Sequence, residues 1–494
     1  MNITDKHKSY EANATKWEFF LRSYLGGDDY RDGQYLLKYV LEDKKEYAKR
    51  LDLTPVDNHC KNVISIYSSF LWRIAPTRNF GSLVEDQALN QFINDADNDG
   101  RSLNQFMSDA QIWSGIYGHV WIMMDKPAVI ATTRADELAQ EVRPYVTMIT
   151  PENVLDWRYE RAANGRYELT MLKVRENVEG DKSFIRLWTK EIIALYEVEG
   201  EEFKVIESME NPLGVIPAVC LYGNRSPVRG IGVSDITDVA YMQRAIYNEL
   251  SEIEQLIRIS NHPSLVKSVD TEAGAGAGSV IEVSDTDSIQ PYLLQPNGGN
   301  LDAIRASITD KVEAINRMTH MGAVRATDAQ TKSGVALQTE FQLLNAKLSE
   351  KAGLCELTEN QIWNFFMRWQ SIDKRSGVKP EISIIYPNTF DLRDYGTELE
   401  FLQRARASGV ASKTFMQGVD RSIAELVLND EDLVKAVLEI EQGTEQLGQF
   451  EKGQIYKYHI DGGVVTQNEA RNDLGLNPLA GGDVVAKPQA VVAE

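Results

Sequence analysis

Cysteine is scarce in this chain of 494 residues. Cys60, Cys220 and Cys355 are odd in number and far apart, which argues against a disulfide framework and suits a reducing compartment. All three read as small buried hydrophobes. His59 beside Cys60 could begin a metal site or hold a nucleophile, but no second Cys/His cluster stands at ligand spacing. Long apolar runs are missing too: nothing reaches the ~18 consecutive apolar residues of a membrane span. The start, MNITDKHKSYEANATKWEFF, has neither the basic stretch nor the apolar run of a secretory signal, so the chain is expected to stay in the cytosol where it is made. Positive charge is in deficit. Against 73 acidic residues stand 52 Lys and Arg, for a net charge of −21, the wrong sign for a protein whose task is to grip nucleic acid. The acidic excess reads either as solubility or as a surface that DNA passes without sticking.

Catalytic signatures are likewise wanting. No G-x-S-x-G elbow, H-E-x-x-H helix or paired-cysteine zinc pattern occurs. Asp95, Asp97, Asp99 and Gly100 open like a calcium loop, but Phe106 stands where a bidentate Glu belongs. Ser102 and Gln105 already form a capping box there, so the stretch reads as a connection between helices. The alternating Gly274, Gly276 and Gly278 lead into the strand-like Val280–Val283 rather than a helix, so a phosphate cradle is not expected. No enzyme activity, metal or cofactor is expected.

What the chain does contain is ordered segments. At 43% hydrophobic and 25% charged residues it is globular, and its length exceeds one ordinary core. Residues 1–117 read mostly helical, with apolar residues at helical spacing in Val63, Ile64, Tyr67, Phe70 and Leu71. From Gly118 the period changes to that of strands: 119–125, 145–149, 167–174, 184–188, 192–198 and 203–207, expected to form one antiparallel sheet. The fold class is therefore α+β.

A long amphipathic helix is expected from Asp235 to Ile259, roughly 37 Å at 1.5 Å per residue. Its apolar side runs through Val233, Ile236, Val239, Met242, Ile246, Leu250, Ile253 and Leu256, and Asp235 and Asp238 are placed in the first turn to favour its dipole. About forty residues with strand-like pieces follow, then a second helix beyond Asn300, a segment of small and polar residues at 321–334, and a very long helix from Val335 to Trp369 with Gly353 as a bend. Residues 381–386 give one more strand, and the remainder is helical and acidic.

The block Gly463–Arg471, GVVTQNEAR, continued by Leu474-Gly475-Leu476-Asn477-Pro478 and Gly481-Gly482-Asp483, resembles a signature of tailed double-stranded-DNA phage portal proteins, the head-to-tail connector family. Locally it is a short helix with a Thr466/Glu469 capping box, closed by Gly475 and Pro478. The stretches DNDGRSLNQF, GHVWIMMDKP and PENVLDWRYE also resemble portal sequences, as does the order of elements. The resemblance implies an N-terminal α+β wing at 1–231, a first stem helix at 232–260, a clip at 261–299 and a second stem helix at 300–320. It further implies a channel loop at 321–334, a long wing helix and strand at 335–396, and a helical crown and tail at 397–494.

The function so implied is a homo-oligomeric ring, usually of twelve subunits, at one capsid vertex of the virion, assembled in the host cytoplasm. Double-stranded DNA passes through it during packaging and ejection. Implied partners are terminase, head-completion or adaptor proteins, the major capsid protein and scaffolding protein, with no membrane. Arg317, Arg325, Thr327 and Lys332 are the candidates for the DNA channel, and Glu272, Glu282, Asp285 and Asp287 for the clip's partner contacts. The alternative is another virion ring or adaptor. A packaging enzyme would need a phosphate loop and a metal-binding acid cluster, and the sequence offers neither.

Overall fold

The computed structural model describes residues 2–127, 136–137, 140, 142–179, 182–200, 202–262, 264–269, 280–283, 290–294, 299–325, 334–371, 382–390, 395–407 and 412–427, with isolated positions beyond. The chain divides into two units, Met1–Asp391 and Leu392–Glu494. Helix and sheet are mixed in it, an α+β class.

The first unit begins with α1 (Lys8–Leu25), α2 (Gly27–Asp32), α3 (Lys44–Leu53), α4 (His59–Leu71), α5 (Gln87–Asn94) and α6 (Leu103–Tyr117). Side chains cap most of these N-termini: Asp43, Asn58 and Asp86 cap α3, α4 and α5 through side-chain oxygens, and Ser102 and Gln105 complete the expected capping box on α6. In the acidic loop before α6, Asp95 accepts from the Gly100 amide (2.9 Å) and Arg143 (2.8 Å), and Asp97 pairs with Arg101 at 2.5 Å. These carboxylates shape the turn between two helices.

The middle section is two sheets, not the single sheet expected. β2 (His119–Asp125) lies between β3 (Tyr145–Ile149) and β9 (Ala218–Tyr222). A separate five-stranded meander runs in order through β4 (Val154–Arg161), β5 (Tyr167–Glu179), β6 (Lys182–Thr189), β7 (Ile192–Glu199) and β8 (Glu202–Glu210), every pair antiparallel. Both faces of β2 are covered, which is why it reads as a continuous apolar run. Val120, Ile122 and Met124 join the larger core with α4, α6 and the long helix described below, while Trp121 and Met123 point into a second core against Trp157, Leu172, Ile185 and Trp188 of the meander. The two-residue period thus serves two cores at once. Strands β4 and β9 and a short β1 (Thr77–Asn79) were not expected from the sequence; β1 pairs with β15 (Ser383–Ile385), which falls within the strand expected at 381–386.

Between β9 and the next long helix stand β10 (Asn224–Arg225) and β11 (Gly232–Val233). Here the chain passes so close to the end of α6 that a Cβ on Gly232 would sit 1.9 Å from the Gly118 carbonyl oxygen. Gly118 itself has φ +94, the left-handed stop that ends α6. Gly232→Ala should therefore lower stability by roughly 1–3 kcal/mol, through overpacking against backbone. Gly353, with open space around it inside a helix, should gain up to about 1 kcal/mol when changed to Ala. Denaturant midpoints of the two variants, moving in opposite directions, check both.

The rest of the unit comprises α7 (Thr237–Asn261), β12 (Ser264–Ser268), β13 (Val280–Val283), β14 (Tyr292–Leu294), α8 (Gly299–Met318), the short α9 (Gly322–Arg325) and α10 (Gly334–Trp369). α10 passes through Gly353 without a break, and its Leu344, Leu348, Ala352, Cys355, Ile362 and Phe366 fill the larger core. All three cysteines are free and buried, and burial raises their thiols far above the ordinary value. In the second unit α11 (Tyr395–Ala407) packs on α12 (Lys413–Val427), with Arg406 and Asp420 paired at 3.1 Å. Asn468 and the Leu479 backbone exchange two hydrogen bonds, of 2.7 and 3.0 Å, closing the C-terminal block. Glu469, Gly475 and Pro478 of that block lie outside the described residues.

Candidate functional site

α7 and α8 form an antiparallel pair whose base is sunk in the larger core and whose far end carries a small sheet. Ile236, Val239, Ala240 and Ile246 bury the first half of α7, and Ile315 with Met321 buries the end of α8. The Tyr67 hydroxyl donates to the Thr319 carbonyl (2.9 Å) and fixes that end. Midway, Glu249 of α7 accepts from Lys311 (2.6 Å) and Ser307 (2.9 Å) of α8. Polar side chains of α7 hold the N-terminal helices. Gln243 bridges the Cys60 amide and the Ser23 carbonyl, and Arg50 spans Ser251, the Leu37 carbonyl and Glu42 while its guanidinium lies 4.0 Å over the Tyr39 ring. The Arg50 hydrogen bonds hold the Glu42 carboxyl below its usual range.

At the far end β12 is central, parallel to β13 and antiparallel to β14. Leu265 and Val266 are buried, but the flanking strands leave Val280, Ile281, Tyr292, Leu293 and Leu294 between 41% and 51% exposed. A three-stranded sheet has too little material to cover both faces, and here apolar residues take the uncovered places.

The entrance to α7 departs from expectation. The helix starts at Thr237, so Asp235 is not a first-turn residue and Val233 is exposed rather than part of the apolar side. Asp235 is buried instead, in an ion pair with Lys351 of α10 at 2.5 Å, both side chains at most 3% exposed. Asn224 donates to its second oxygen (2.8 Å), and Lys351 also reaches the Gly223 carbonyl (3.2 Å). This pair locks the base of the α7–α8 hairpin to α10. A comparable tie joins the β1–β15 ribbon to α10: Arg78 grips fully buried Glu359 with two bonds (2.5 and 3.0 Å), and Tyr386 donates to the same carboxylate (2.6 Å). Neither tie was found from sequence. Partners separated by more than a hundred residues leave no local pattern.

The candidate residues read from sequence fall as follows. Arg317 is in the last turn of α8, well exposed, with Glu313 3.8 Å away. The segment 321–334, expected to be a loop from its first residue, begins as scaffold: Met321 is fully buried and Gly322–Arg325 forms a helical turn. Its apolar side chain gives Met321 a place in the core, and the backbone of Arg325 belongs to that turn. Thr327 and Lys332 lie outside the described residues. Glu282 stands on β13 and pairs with Lys267 of β12 at 3.4 Å, whereas Glu272, Asp285 and Asp287 lie outside the described residues.

No helix among the described residues is long and apolar enough to cross a membrane. No family model matches the chain, and no curated protein matches it in sequence. Among solved structures the chain is similar to one in the neck of an empty GTA particle computed with C6 symmetry, at 9% identity and a TM-score of 0.43, over 79% of this chain and 95% of that one.

Proposed function

We propose that this protein is a non-enzymatic ring subunit of a tailed phage virion, a portal through which double-stranded DNA is packaged and ejected. The observation that carries the reading is the α7–α8 hairpin, anchored in the core at one end and bearing a small sheet with exposed apolar residues at the other. The sequence resemblance described above supports it. In this reading α7 and α8 are the stem, and the sheet of β12, β13 and β14 is the clip that receives terminase and later the head-completion proteins. Leu301, Ile304, Ile308 and Val312 of α8 are each only half-buried within one copy, as helices shared laterally around a ring require.

An acidic wall suits a channel. A protein making six to ten phosphate contacts grips DNA with strong salt dependence, and such contacts repeated around a ring would brake a moving duplex. At a Debye length of about 8 Å the repulsion acts only near the wall. Replacing Arg317, Arg325 and Lys332 together by Ala should leave assembly intact and reduce packaged or retained DNA in a salt-sensitive way; unchanged DNA retention at every salt concentration would remove these residues from the channel.

The primary test is the mass of the purified protein together with its negative-stain images. Closed rings with a central hole, of about twelve copies, are expected. A monomer at all protein and salt concentrations would overturn the reading.

A further inference from the structure

One cleft of this acidic protein is lined with cations. It has a volume of about 750 Å³ and opens between β4, β5, β9, the segment that follows β9, and the C-terminal half of α10. Arg166, Lys190, Arg225, Arg229 and Arg368 line it, with Glu168 as the carboxylate among the lining residues. Glu168 is taken by Lys190 at 2.6 Å, and no ion pair among the described residues holds the four arginines. Arg229 lies 3.9 Å over the Tyr167 ring. Apolar surface is interleaved with this charge: Tyr167, Val228 and Leu357 are 50%, 43% and 52% exposed. An anion alone would leave that apolar lining wet.

The opposite edge of the same meander has the matching character. All nine residues of β8, EFKVIESME, are exposed, and among the described residues no strand lies beside its outer edge. Phe203, Val205, Ile206 and Met209 supply apolar surface, and Glu202 and Glu210 supply negative charge at its two ends, Glu207 being paired with Arg186 at 3.7 Å. An open, apolar edge of this length is ordinarily covered. The cleft draws on β4 and β5 toward the far edge and on the β6–β7 turn at the end of the sheet, a surface distinct from the outer edge of β8.

We infer that β8 of one copy docks into the cationic cleft of the next, a head-to-tail contact of two different surfaces on the same chain. Such a contact repeats from copy to copy and closes when the rotation between copies divides a full turn. Acidic residues at both ends of β8 meet the arginines while its apolar residues cover Tyr167, Val228 and Leu357. The inference rests on the ring reading and names the surfaces that join the ring.

The test is a charge exchange in the full-length protein, read by native mass and by images. The cleft variant carries Arg225→Glu and Arg229→Glu, and the strand variant carries Glu202→Lys and Glu210→Lys. Each alone sets like charges against each other, and association should weaken by about a hundredfold or more. Mixing the two should restore assembly with the variants alternating in equal numbers, because each then offers the surface the other lacks. The fourfold variant should assemble by itself. Both exchanges also check folding, since a misfolded variant cannot be rescued by its partner. If each variant assembles like the unaltered protein, the ring reading stands and this contact falls. Variants that melt normally but remain monomeric in the mixture and in the fourfold form would also overturn the contact. Monomeric unaltered protein overturns ring and contact together. If the cleft variant loses binding of a short duplex DNA while still assembling, the cleft belongs to nucleic acid and not to β8.

Discussion

Asp235→Ala is expected to cost about 3–5 kcal/mol of unfolding free energy, because it strands the Lys351 ammonium in the core without its counter-charge. The Gly223 carbonyl remains as a partner for Lys351, but a single neutral acceptor cannot replace a carboxylate. Exchanging both members for apolar residues, Asp235→Leu with Lys351→Met, should recover most of the loss, since an ion pair of this burial gains little over well-packed hydrophobes. Denaturant titration of the two variants settles the matter. A cost below about 1 kcal/mol for Asp235→Ala would mean that water reaches the pair.

Acid should weaken the protein through His119. Its imidazole is buried at the start of β2, its Nδ1 accepting from the Gly232 amide at 3.3 Å and Trp17 packed against it edge-on at 5.8 Å. Burial pushes its pKa down to about 3 from the ordinary 6.5. The unfolded chain therefore takes up a proton between those values while the folded chain does not. Stability from this residue is whole above pH 6.5 and falls as the pH drops toward 3, by on the order of 4 kcal/mol in all. His119→Gln, which keeps a polar group for the Gly232 amide, should flatten that part of the pH profile relative to the unaltered protein. Parallel profiles for the two proteins between pH 3 and 6.5 would show that His119 is protonated in the fold.

The elements that sequence revealed are those whose partners are already implied by their own spacing. α7, α8 and α10 each carry an apolar side long enough to identify a helix without reference to anything else. β2 was legible as a strand, but not the fact that it separates two cores, because a run with both faces buried looks the same whatever lies on each side. β4 and β9 were missed for a related reason. The run VLDWRYER opens with two adjacent apolar residues and carries two register shifts in its pairing with β5, and AVCLY is too short to show a period. The hairpin of α7 and α8 with its intervening strands was legible as an order of elements. The cationic cleft was not: its five cations are scattered from Arg166 to Arg368, and only the packing of β9 against α10, with β4 and β5 facing α10 across the cleft, gathers them. Asp235 was placed in the right neighbourhood for the wrong reason. A carboxylate just ahead of a helix suggests the helix dipole, and nothing local announces a lysine more than a hundred positions later.

The short ribbon of β1 and β15 pairs Thr77 with Ile385, about 300 residues apart. A ribosome adding 5–20 residues per second needs roughly 15–60 seconds to travel between them. For most of that interval the nascent chain holds Arg78 without Glu359 and the α4–α6 helices without α10. Meanwhile the meander, whose strands join only their sequence neighbours, can form as each hairpin emerges. A stalled or prematurely ended chain would thus present a finished β-sheet beside an open helical core, which is the form chaperones and proteases would meet first.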